Sequence, residues 1–89
     1  MLSTTDFIGL SNLYECEVEV IADHEHVSLA TAVLIGEQLL TSDHGVCMLH
    51  LMVAEAIQAA VDDHDVLKAK RFADAYAVVK KRHPLPKRC

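Results

Sequence analysis

The chain contains no tryptophan, and its aromatic residues amount to two phenylalanines and two tyrosines. Any core it builds is therefore aliphatic, since 52% of the 89 residues are nevertheless apolar. With only Gly9, Gly36 and Gly45 there is no glycine-rich phosphate loop and no nucleophile elbow. Cysteine is sparse and unpatterned: Cys16, Cys47 and Cys89 form an odd set that describes neither a disulfide framework nor a paired-cysteine zinc motif. The expectation is three free thiols in a reducing compartment. No basic segment followed by a small-residue cleavage site opens the chain. The longest apolar stretch, residues 46–61, is broken by His50, Glu55 and Gln58 and falls short of the ~20 residues that span a bilayer. A cytoplasmic protein with no membrane segment is expected.

Positive charge is missing from most of the chain. No lysine or arginine precedes Lys68, whereas twelve acids lie between residues 1 and 66. From residue 67 onward Lys68, Lys70, Arg71, Lys80, Lys81, Arg82, Lys87 and Arg88 face Asp74 alone. The net charge of −5 is thus −12 followed by +7. Two arrangements satisfy this split. The basic C-terminal helix lies across the acidic body and neutralises it, or the surface stays bipolar and steers a charged partner. The first is the simpler expectation.

What is present reads as mainly α. Residues 26–40 carry Val27, Ala30, Val33, Leu34 and the Leu39–Leu40 pair on a broad apolar stripe, with Asp23 or His24 as a cap. Gly36 in mid-helix costs about 1 kcal/mol relative to alanine and is explained by close approach of another helix. Residues 46–61 form a second helix, apolar on nearly every face, with Ser42 or Asp43 as its cap. Asp65 caps a third over residues 66–82, with Val66, Ala69, Phe72, Ala73, Tyr76 and Val79 at helical spacing. His83-Pro84 ends it. One domain over residues 1–83 and a flexible basic tail over 84–89 follow from this pattern. Ser3 to Asp6 offers a cap for one turn, and Gly9 opposes a long helix there.

Residues 13–21 read differently. Tyr14, Cys16, Val18 and Val20 alternate with Glu15, Glu17 and Glu19, the pattern of a half-buried strand. The predicted fold is a short N-terminal strand or extended segment followed by three helices. A lone strand needs a mate, and an all-round apolar helix needs more cover than one small chain provides. Both point to an intertwined homodimer, with Val33, Leu34, Leu49, Met52, Val53 and Ile57 at its interface. The order strand, helix, helix over residues 13–62 resembles the ribbon–helix–helix architecture in topology. The ribbon would expose Glu15, Glu17 and Glu19, six carboxylates per dimer, which excludes it as a reader of DNA.

The chemistry-bearing residues are six histidines and the acids around them. Paired histidines at i, i+4 with an intervening glutamate are absent, and Asp62 to Asp65 lacks the glycine and distal glutamate of a calcium loop. Caps and turns account for the Asp/His clusters better than a metal does. No metal and no cofactor is expected; a metal-binding module using His24, His26, His44 and His64 is the alternative. His50 is read as a histidine satisfied by a hydrogen bond. Cys47, with His44 or His50 as base, lacks an orienting group and sits in apolar surroundings that raise a thiol pKa. The expected function is therefore non-enzymatic: a small regulator or inhibitor that binds a larger protein through Glu15, Glu17, Glu19, Asp23 and Glu25. Nucleic-acid association through the basic C-terminal helix is a further alternative, with phosphate contacts only.

Overall fold

The computed structural model describes residues 13–89. These form four helices: α1 (Glu15–Glu25), α2 (Leu29–Leu39), α3 (Asp43–Asp62) and α4 (Val66–Arg82). The cap expected at Ser3 to Asp6 lies outside the described residues. α1 and α3 each pack against all three other helices, whereas α2 and α4 do not touch each other.

Residues 15–25 are helical, not extended, so the strand expected over 13–21 is overturned. Strict alternation misled because one of the three glutamates points inward. Glu17 is buried together with Val18, Val20 and Ile21, and with Leu13 these define a helical stripe rather than a sheet face. Glu17 also serves the helix start, accepting a hydrogen bond from the Tyr14 backbone N–H at 2.7 Å. His26 ends α1 in the left-handed conformation at φ 56°, where histidine is one of the more tolerated side chains. Among the described residues there is no strand, and the topological likeness to a ribbon–helix–helix dimer goes with it.

The other three helices begin where side-chain oxygens cap them. Ser28 accepts from the Thr31 N–H at 3.2 Å, which replaces the expected cap at Asp23 or His24. Ser42 accepts from the Gly45 N–H at 3.0 Å and Asp65 from the Lys68 N–H at 3.1 Å. Gly36 marks the close approach anticipated for it: a Cβ there would overlap Leu13 Cδ1 and lie 3.0 Å from Ile21 Cδ1.

The core is aliphatic, drawn from Val18, Ile21, Val33, Leu49, Val53 and Val79, with Phe72 the one buried phenylalanine or tyrosine among the described residues. α3 is long and apolar enough to cross a membrane by length and composition, at a mean hydropathy of 1.4. Its Leu49, Val53, Ala56 and Ala60 side is buried in the core, while Met48, Leu51, Ala54 and Val61 face outward. One chain thus covers one side of α3. Val33, Leu49, Met52 and Val53, assigned to a dimer interface by pattern, are buried within this chain, and Ile57 packs against the same core. Of the six, only Leu34 is exposed, at 63%.

α3 and α4 run as an antiparallel pair of 20 and 17 residues, roughly 30 and 26 Å long. The end of α4 therefore returns to the beginning of α3. There Cys47 and Cys89 are joined in a disulfide with Cα atoms 5.6 Å apart. The expectation of three free thiols is corrected: only Cys16 is free, and the tail is tethered at its last residue. No local spacing announces this bond, because it depends on matched helix lengths 42 residues apart in sequence.

Candidate binding surfaces

The acidic row of α1 is met by the basic row of α4. The two helices run antiparallel, which places Asp23 against Lys68 at 2.8 Å, Glu19 against Arg71 at 2.6 Å, and Glu17 against Arg82. Asp23, by hydrogen bond and charge, raises the Lys68 ammonium above its ordinary 10.5. Of the five acids assigned to partner binding, Glu17, Glu19 and Asp23 are therefore engaged within the chain. Glu25 contacts His24 at 2.7 Å, and Glu15 is exposed. Internal neutralisation, the simpler of the two arrangements, accounts for Glu17, Glu19 and Asp23, while Glu15 and Glu25 stay exposed.

Glu17 anchors a buried polar cluster. Its Oε1 accepts from the Arg82 guanidinium as well as from Tyr14 N–H. The guanidinium lies over the Tyr14 ring, 3.7 Å from its centroid. His83 Nε2 lies 3.4 Å from Glu17 Oε2, outside hydrogen-bond geometry. Next to it, His50 Nε2 contacts the His83 carbonyl at 2.7 Å and Nδ1 contacts the Tyr76 hydroxyl at 3.3 Å. A carbonyl only accepts, so Nε2 carries a proton toward His83, and Nδ1 shares a hydrogen bond with the Tyr76 hydroxyl. His50 is thus a satisfied buried histidine that ties α3 to α4. Neither surface cleft is lined by any member of this cluster.

One cleft, of about 370 Å³, lies between the end of α1 and the α3–α4 turn. Asp23, His24, His26, Glu55, Asp63 and Lys68 supply its polar wall. His24 bridges α1 to α3: its two ring nitrogens face Glu25 at 2.7 Å and Glu55 at 3.0 Å. His64 lines a different cleft and His44 neither, so the four histidines considered as metal ligands are dispersed. Among the described residues no three His, Cys, Asp or Glu side chains gather in a metal-holding group.

The second cleft, of about 330 Å³, is apolar and sits at the α3–α4 turn. Val61, Val66 and Ala69 line it beside His64 and Asp65. Val66 is 76% exposed and the adjacent Leu67 78%, the most exposed large apolar side chains described. Asp62, Asp63 and Asp65 precede them in the turn and are exposed; Asp65 lines this cleft and Asp63 the first one. Sequence pattern assigned Val66 to the buried stripe of its helix. Phe72 and Val79 of that stripe are buried, with Ala75 beside them, whereas Val66 and Ala73 are exposed and the first turn of α4 projects past the end of the core. The clue was the three aspartates preceding an apolar pair at a helix start, which were read only as a turn.

The cysteines offer no nucleophile. Cys47 is bound to Cys89. At Cys16, burial and then the charge of Glu17 raise the thiol above its ordinary 9.0, which disfavours the reactive thiolate. Comparison of the chain with protein families, with curated proteins and with solved structures finds no match.

Proposed function

We propose that the chain is a non-enzymatic binding module that docks onto a larger protein through the tip formed by the α3–α4 turn. The supporting observation is the coincidence of exposed Val61, Val66 and Leu67 with Asp62, Asp63 and Asp65. Burying an exposed valine or leucine in a partner contributes about 1.5–3 kcal/mol each, and the neighbouring carboxylates select a partner that is basic around its apolar anchor. The acidic surface expected from sequence is retained in kind but moved, because α4 engages the α1 carboxylates. The role is that of a small regulator or inhibitor occupying a basic, apolar segment of its target. An oxidising compartment is proposed as the site of action, in place of the cytoplasm expected from sequence, because a disulfide such as Cys47–Cys89 persists there.

The test is titration with a synthetic amphipathic helix of leucine and lysine, followed by fluorescence anisotropy. The wild-type chain and an E15Q/E25Q variant are expected to bind it alike. A V61E/L67E variant, with unchanged far-UV circular dichroism, is expected to lose binding. Equal binding by V61E/L67E would refute the assignment of the tip.

A further inference from the structure

All eight lysines and arginines lie in the described part of the chain, so their partners can be followed one by one. Lys68, Lys70, Arg71 and Arg82 pair with Asp23, Asp74, Glu19 and Glu17. Lys80, Lys81, Lys87 and Arg88 have no acidic partner among the described residues, and all four are exposed. Two bonds gather them at one end of the molecule. His50 on α3 holds the His83 carbonyl at the end of α4, and the Cys47–Cys89 disulfide brings the residues after it back to the start of α3. Lys80 is drawn to the same place by the Tyr76 ring, 4.9 Å from its centroid, since the Tyr76 hydroxyl contacts His50. Leu85, 57% exposed, stands between the two pairs of cations in sequence.

The opposite end of α4 meets the α3–α4 turn, which carries Asp62, Asp63 and Asp65, with Asp65 lining the apolar cleft. The two ends are separated by the 17 residues of α4, about 26 Å, well beyond the ~8–10 Å screening length at ordinary ionic strength. Neither end neutralises the other within one molecule. Between molecules they match: an apolar residue among cations meets an apolar cleft beside aspartates. We propose that the chain self-associates head to tail, the basic end of one copy occupying the acidic tip of the next. This rests on the tip assigned above as the docking surface, and it names the chain's own C-terminal end as a ligand that competes there with any target. The interface is heterologous, so each copy keeps one end open and growth proceeds past the dimer or closes into a ring.

Sedimentation equilibrium on the oxidised full chain tests this at low ionic strength and in about 1 M salt, where the screening length falls to roughly 3 Å. The weight-average mass is expected to rise with concentration beyond that of a dimer at low salt and to return to the monomer at high salt. Two charge-swap variants, D62K/D63K and K81E/K87E, are each expected to associate at least tenfold more weakly. An equimolar mixture of the two is expected to associate again, since it contains one native tip and one native basic end. A wild-type chain that stays monomeric at low salt, a salt-resistant dimer, or a mixture that stays monomeric would overturn the proposal. So would a DNA duplex bound by the monomer and lost in K81E/K87E. A monomeric chain that still captures the leucine–lysine helix would end this inference and leave the docking tip standing.

Discussion

Replacing Arg82 by leucine should cost far more than replacing both Arg82 and Glu17. The Glu17 carboxylate has no solvent exposure. Its charge is held by the Arg82 guanidinium and by the Tyr14 N–H at 2.7 Å. Removing the cation leaves a buried carboxylate with the Tyr14 N–H as hydrogen-bond donor and the His83 ring 3.4 Å away, a change that typically destabilises by about 3–5 kcal/mol. Loss of the guanidinium from the Tyr14 ring adds about 0.5–1 kcal/mol. At roughly 4–8 °C per kcal/mol for a domain of this size, the Tm of R82L should fall by at least about 12 °C. Glu17→Leu alone should cost less, because the Arg82 side chain is 25% exposed and its head can rehydrate. The double variant E17L/R82L exchanges an ion pair for apolar volume, which is often close to neutral. It loses the Glu17 contact to the Tyr14 N–H, worth about 1 kcal/mol. It should therefore lie within about 1–2 kcal/mol of the wild type and well above R82L. Urea unfolding followed by circular dichroism measures all four proteins. A loss below about 1 kcal/mol in R82L, or a double variant no more stable than R82L, would show that the pair does not compensate a buried charge.

Three further perturbations follow from the fold. Opening the Cys47–Cys89 bond releases a loop of sequence separation 42, so C89S, or reduction, should lower stability by up to about 4 kcal/mol; identical urea midpoints in oxidised and reduced protein would refute this. Gly36→Ala places a methyl group against Leu13 and Ile21 and should cost about 1–3 kcal/mol unless those flexible tips give way, as read from the same unfolding curves. The folded-state values of Cys16 and Lys68 are both raised, so the folded chain binds these protons more tightly than the unfolded one. Their contributions are fully present below the ordinary values of 9.0 and 10.5 and are lost as pH rises through the raised values. Stability should therefore decline from about pH 9 upward, and C16A should flatten the earlier part of that decline; an unchanged slope would count against burial as the cause.

Features that depend on a few neighbouring residues were legible in the sequence. Asp65 and Ser42 announced the starts of α4 and α3, and Gly36 its close neighbour, because caps and small residues act through local geometry. The reading of α1 failed where a local pattern met a distant partner. Alternation at Tyr14 to Val20 signals a strand only if every glutamate faces water. Glu17 does not, because Arg82, 65 residues later, compensates its charge inside the fold. The same long-range pairing ties Glu19 and Asp23 of the expected docking face to Arg71 and Lys68. Val66 shows the opposite limit: its spacing fits the stripe of α4, but spacing carries no information on where along a helix the core ends.

The disulfide also alters what a cut in the backbone does. Residues 47–89 form a closed covalent loop that contains nearly all of α3 and the whole of α4. The exposed α3–α4 turn, with His64 in the left-handed conformation at φ 58°, is the accessible place for a protease to enter that loop. A nick there would yield two pieces that remain one molecule, migrating apart only after reduction, with the α1–α4 ion pairs still able to form. Proteolysis would thus sever the α3–α4 turn without shedding either half of the protein.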